Sequence, residues 1–181
     1  MAVQIGGRPD SGFDDPIGML TDCHRRIERF LDVLWRVAER AGGRALDAEE
    51  RDAVEAAMRY FHESGPRHNS DEEESLFPRL RRLQAGEVPA EAALQIERLE
   101  GEHHQSEALH KEAAELFTRW LAEGDLHVVD RNRLRAVLSK LQHIYAEHIR
   151  LEEDLVFPCA AGLLDRQAIA TIGAEFRARR T

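Results

Sequence analysis

Cysteine is nearly absent. Only Cys23 and Cys159 occur among 181 residues, too few for a disulfide framework, so both thiols are expected to be reduced, as in a cytoplasm. Positive charge is also in short supply: 25 Lys and Arg stand against 34 Asp and Glu, a formal net charge of −9. That balance speaks against nucleic acid or an anionic membrane as a main partner. No apolar run approaches the length of a membrane span. The opening stretch MAVQIGGRPDSGFDDP has no basic n-region and no apolar h-region, so no secretory signal is expected. Strand signals are missing as well: there is no alternating Val/Ile/Thr run and no Asn-Gly hairpin turn. What remains is the composition of an ordinary soluble globular domain, 43% hydrophobic and 33% charged, long enough to bury one core. One residue type is in excess: nine His in a small acidic chain.

Two of those His open a repeated motif. Residues 68–78 read HNSDEEESLFP and residues 148–158 read HIRLEEDLVFP. In each, a Glu follows the His by four positions and a Phe-Pro pair closes the segment. Residues four apart share one face of a helix, with Cβ atoms roughly 5–6 Å apart. His68 with Glu72, and His148 with Glu152, can therefore each offer a nitrogen and a carboxylate to a common point.

Taken in order, residues 1–13 are rich in Gly and read as a flexible arm. Asp14-Asp15-Pro16 is a helix start. The apolar seam that follows runs through Ile17, Leu20, His24, Ile27, Leu31 and Leu34 in three-four spacing, and Gly42-Gly43 ends it. Asp47 to Glu50 forms a capping box for a second helix, whose seam is Val54, Ala57, Phe61, His68, Glu72 and Leu76. Gly65-Pro66 should bend this helix without ending it, because Phe61 to His68 preserves the seam; the end is expected near Gly86. Pro89 opens a third helix with Ile96, Leu99, His103, Ser106, His110, Ala113, Phe117 and Trp120 on its seam, closed by Gly124. Asp130 is the expected cap of a fourth helix, with Leu134, Val137, Leu141, Ile144, His148, Leu151 or Glu152, and Leu155 facing inward. Asp165 can cap a short fifth helix ending in a basic tail.

The pattern predicts an all-α protein: an up-down-up-down four-helix bundle over residues 14–163, with a short C-terminal helix and basic tail over 164–181. His24 and His68, counted from the helix ends they share, lie at depths of roughly 27 and 31 Å. The third and fourth helices give the same agreement for His103 and His148. Six seam residues thus converge on one level: His24, His68, Glu72, His103, His148 and Glu152.

A lone seam histidine is more often a satisfied core residue than a ligand. Four at one depth, with two carboxylates that would be costly to bury without a cation, point to metal. Four imidazoles and two carboxylates exceed a tetrahedral zinc site. The set suits two iron ions, with manganese or zinc as substitutes, the Glu pair bridging and an oxo or hydroxo group helping to neutralise the charge.

At these residues the sequence resembles the hemerythrin-like, or HHE cation-binding, domains over about residues 15–160. The resemblance is carried by His24 in DCHRRIE, His68 and Glu72 in HNSDEEESLFP, His103 in GEHHQSE, and His148 and Glu152 in HIRLEEDLVFP. It implies a non-heme di-iron centre inside a four-helix bundle and a role in oxygen binding, redox sensing, iron homeostasis or repair of iron centres. The expected ligand is a small diatomic molecule or peroxide. Binding or sensing is the leading reading; a di-iron peroxidase or oxidase, an iron donor in repair, and an iron or manganese buffer are the alternatives. The sequence departs from the oxygen-carrying branch: Glu107 stands where those proteins place a further His on the third helix, and the fourth helix has HxxxE in place of HxxxxD.

Other residues carry weaker signals. Glu28 and Glu107 follow a seam His by four and could add a carboxylate, although solvated partners are the commoner case. His110 lies on the seam two turns from His103, which fits a neighbour of the site better than a ligand. His62, His104, His127 and His143 fall off the seam and read as surface. Glu73, Glu74, Glu153 and Asp154 read as a solvated acidic face. Cys23 adjoins His24 and reads as a small buried thiol. Neither a protein partner nor an oligomeric state can be read from the sequence.

Overall fold

The computed structural model describes residues 10–83 and 90–181. Among them every regular element is helical: α1 (Pro16–Ala41), α2 (Ala48–Glu63), α3 (Gly65–Ser70), a π-turn (Asp71–Leu76), α4 (Phe77–Arg82), α5 (Ala90–Glu123), α6 (Val128–Leu151), a second π-turn (Glu152–Val156), α7 (Phe157–Leu163) and α8 (Arg166–Ala178). Four rods result, because α2 to α4 run on as one interrupted helix, as do α6 and α7. Rod one, α1, packs on α2 and α6, and α5 packs on α6. No helix is long and apolar enough to cross a membrane by itself among the described residues.

The helix ends follow local chemistry. The Asp15 side chain accepts from the Gly18 N–H, with Pro16 at the first turn, and Asp47 and Glu50 form both bonds of a capping box. Gly42 closes α1 at φ 59°, a left-handed conformation that a side chain disfavours. Asp165 caps α8 by accepting from Ala168 N–H at 2.8 Å. The fourth rod differs from expectation. Its N-cap is His127, whose Nδ1 accepts from Val129 N–H, while Asp130 lies inside the first turn and pairs with Arg119.

The bend expected at Gly65-Pro66 is a one-residue break at Ser64. The His68 N–H bonds to the Ser64 carbonyl at 3.0 Å, which restarts the helix at once. Helix α4 ends at Arg82, and Leu83 is extended; the expected stop at Gly86 and the opening at Pro89 lie outside the described residues. Within the N-terminal stretch expected as a flexible arm, Ser11 N–H donates to Asp22, Asp10 pairs with Arg26, and Phe13 packs on the apolar end of the bundle.

The two π-turns were not legible in the seam. Each ends immediately before a Phe-Pro pair. Proline has no N–H to give to the carbonyl four residues back, and its ring crowds that carbonyl. The chain widens instead: Phe77 N–H reaches the Glu72 carbonyl and Phe157 N–H reaches the Glu152 carbonyl, the i→i+5 bond of a π-bulge. The extra residue shifts the inward face. Val156 is fully buried where the unbroken seam placed Leu155, which is only half-buried.

The core is divided in two. One apolar cluster holds Leu31, Val54, Ala57, Phe117, Trp120, Leu134 and Leu141; the other holds Leu20, Leu76, Phe77, Leu80, Ile96, Leu99, Val156, Phe157, Ile172 and Phe176. Between them, along α1, α3, α5, α6 and the two π-turns, the sequence places polar residues on the buried face.

Candidate metal centre

Those polar residues are His24, His68, Glu72, His103, His148 and Glu152, each at most 4% exposed. They form two groups. His24 and His68 lie with Glu72 and Glu152 in one, and His103 and His148 lie with the same two glutamates in the other. Each group of four donor atoms falls within 4.8 Å, a spacing that could hold a metal ion.

The carboxylates do the joining. Glu152 has one oxygen 3.0 Å from His24 Nε2 and the other 3.3 Å from His148 Nε2. Glu72 has one oxygen 3.5 Å from His68 Nε2 and the other 3.3 Å from His103 Nε2. Both glutamates are fully buried, and each stands on the first turn of a π-bulge. Each therefore spans the two groups. The repeat in the sequence has become a near-symmetry of the site, as the two Phe-Pro rings also show. Phe157 lies parallel to His24 at 5.4 Å between centroids, and Phe77 parallel to His103 at 6.3 Å.

A second set of acids holds the imidazoles from behind. Glu153 meets His24 Nδ1 at 2.9 Å, Glu73 meets His103 Nδ1 at 2.6 Å, and Glu102 meets His148 Nδ1 at 3.1 Å. This fixes the tautomer, turning Nε2 inward as an acceptor, and raises its basicity. Glu73 and Glu153 correct the reading of a merely solvated acidic face; Glu74 and Asp154 are exposed as expected. The signal was available in part, since Glu73 and Glu153 each follow a seam glutamate in the repeated HxxxEE. Glu102 comes from α5 and has no such mark.

The weaker candidates fall outside both groups. Glu28 and Glu107 are exposed. His110 stacks on Phe61 at 4.2 Å and its Nε2 bonds the Tyr145 hydroxyl at 3.1 Å, away from the carboxylates. Burial lowers its pKa to about 4. His62, His104, His127 and His143 are exposed. Cys23 is buried, and burial raises its thiol to about 11, which leaves it an unreactive packing group.

The donor set calls for positive charge. Both oxygens of Glu72 and of Glu152, both nitrogens of His68, and His24 Nε2 are buried with no hydrogen-bond partner. Orphans of this kind are rare and costly. Burial and the neighbouring Glu152 charge raise Glu72 to about 7. For Glu152, burial works upward but the two adjacent histidines outweigh it and lower the carboxyl. His148 is driven down by burial, yet Glu152 and Glu102 carry it up to about 10. His68, buried among other imidazoles with no carboxylate behind it, is lowered well below its usual value. Protons here hold the place that cations would take. The residues fit metal binding in donor type, in burial and in charge.

A cavity of about 240 Å³ opens beside this site at the break in the second rod, lined by Phe61, Ser70, Glu73, Glu107, His110 and Tyr145 among others.

Comparison with known proteins agrees with the geometry. The family model described as the Hemerythrin HHE cation binding domain matches residues 15–160. An uncharacterized protein of Haemophilus influenzae is 29% identical over 175 residues, covering 93% of this chain and 91% of that protein.

Proposed function

Because the chain belongs to the hemerythrin HHE cation-binding family, we propose that it is a non-heme di-iron protein that binds or senses oxygen, nitric oxide or a related small oxidant. The observation that carries the reading is the pair of buried glutamates, each placed between histidines of two adjoining four-residue groups. Iron bound there would supply redox chemistry toward a small ligand. Manganese or zinc would fit the same donors.

The chain's own residues do the rest. His24 and His68 offer nitrogens to one position, His103 and His148 to the other, and Glu72 and Glu152 to both. Four protein donors per position fall short of an octahedral shell, which leaves room for an incoming ligand. Glu107, exposed on the cavity wall, adds none. The Phe77 and Phe157 rings and the two apolar clusters keep bulk water from the imidazoles. The cavity at the break of the second rod is the natural approach for a small molecule, since its lining includes Glu73, which meets His103, and Tyr145, which meets His148.

The test joins metal analysis to ligand response. Protein loaded with iron should hold about two ions per chain, and its reduced form should change its absorption spectrum with oxygen or nitric oxide. Because Glu107 gives no ligand, oxygen should oxidise the centre and not leave it again; a band that persists for hours and reverses under vacuum would refute that part. Steady consumption of peroxide would assign an enzyme. Readily exchanged metal with no ligand response would assign a buffer. One tightly held zinc, with no iron taken up, would sink the di-iron reading.

A further inference from the structure

At one buried position of the repeat, an apolar residue in one copy is exchanged for a charged residue in the other. Residue 151 in the second copy is Leu151, which packs on the apolar cluster around Phe157. Its counterpart in the first copy is Asp71, fully buried and immediately before Glu72. A carboxylate buried there is costly unless paired, and its partners come from the far end of the chain. Arg179 Nη1 lies 3.0 Å from one oxygen of Asp71, and Arg180 Nη2 lies 2.5 Å from the other. Arg179 also reaches the Ser75 hydroxyl at 2.9 Å and Glu74 at 3.3 Å. One turn back on α8, Glu175 takes a two-pronged bond from Arg79. The π-turn that carries Glu72 is thus tied at several points to α8 and the two residues after it, whereas the turn that carries Glu152 is closed by apolar packing.

We propose that Arg179 and Arg180 form a clasp on Asp71 that holds Glu72 in the metal centre and sets how fast metal ions enter and leave. The proposal rests on the metal-binding reading above. Glu72 belongs to both donor groups, so an ion can leave by the protein's own motion only if a ligand-bearing turn opens. The clasped turn is the one to open. A buried ion pair contributes little net stability once desolvation is counted, both arginines are partly exposed, at 19% and 24%, and they lie just past the last residue of α8, where a helix frays. Asp71, Arg179 and Arg180 are positioning residues; none belongs to either donor group.

The experiment uses the full chain loaded with iron(II) under nitrogen and mixed with excess colorimetric iron(II) chelator. Arg179→Ala/Arg180→Ala should release iron about tenfold faster, as expected when a locally opening segment loses its tie. Wild-type release should quicken with salt, which screens the exposed side of the clasp. Arg179→Lys/Arg180→Lys should fall between the two. Asp71→Leu/Arg179→Ala/Arg180→Ala, which gives the first copy the residue of the second, should release iron at a rate independent of salt. In metal-free protein, amide exchange in the alanine pair should rise over 68–77 and stay unchanged over 148–157. Equal loosening of both turns, or unchanged release and exchange, overturns the clasp. If no iron binds at all, the metal reading fails, and the metal-free exchange still decides this proposal.

Discussion

Three of the four histidines in the two donor groups are oriented by what stands behind them. His24, His103 and His148 each carry a carboxylate on Nδ1, and His110, equally on the seam, carries a tyrosine hydroxyl and an aromatic ring instead. His68→Ala and His148→Ala should each lose bound metal, while His104→Ala and His127→Ala keep it; elemental analysis after gel filtration decides. Removing the acid behind a ligand should cost less than removing the ligand. Glu102→Gln should weaken metal binding about 10- to 100-fold, the range for second-layer partners of metal-bound histidine, as read by chelator competition. An unchanged affinity would mean that the Glu102 contact positions nothing.

At the scale of the element, the π-turns decide which residues face inward. A regular helix through residues 148–158 would bury Leu155, and the widened turn buries Val156. The two registers predict opposite outcomes for one pair of variants. Val156→Asp should destabilise the fold by at least about 3 kcal/mol, the cost of an unpaired buried charge. Leu155→Asp, half-buried, should cost about 1 kcal/mol. Urea denaturation of both metal-free variants gives the comparison, and a larger loss from Leu155→Asp would refute the π-register.

For the whole molecule, protons and metal compete for one pocket. Glu72 has its folded pKa raised to about 7, so its penalty in the metal-free protein is absent below the ordinary carboxyl range and grows as pH rises through about 7. His148, raised to about 10, stabilises the metal-free protein fully below the ordinary histidine range, and that contribution fades as pH climbs toward about 10. Metal removes the Glu72 penalty and needs His148 without its proton. The gap in melting temperature between manganese-loaded and metal-free protein should therefore widen from about pH 6 to about pH 8. A constant gap would show that no protons leave on binding.

How much of this was written in the chain can be judged residue by residue. The three-four seams, the Asp47 capping box and the Gly42 stop set the four rods, because helix period and end chemistry are local properties that one sequence window contains. The six converging His and Glu residues were legible for the same reason: spacing along a helix fixes the face, and counting from the ends fixes the depth. The Phe-Pro pairs were visible in the repeat, but the form of the helix before them was not legible, since a proline kink and a π-bulge begin from the same missing N–H. Contacts between distant segments had no local sign. Glu102 behind His148, Phe157 over His24, and Arg179 with Arg180 on Asp71 each join residues from different rods or from opposite ends of the chain. Sequence determined the helices and the buried donors on them; only packing decided which acid turns each imidazole and which arginines neutralise the one aspartate buried next to the site.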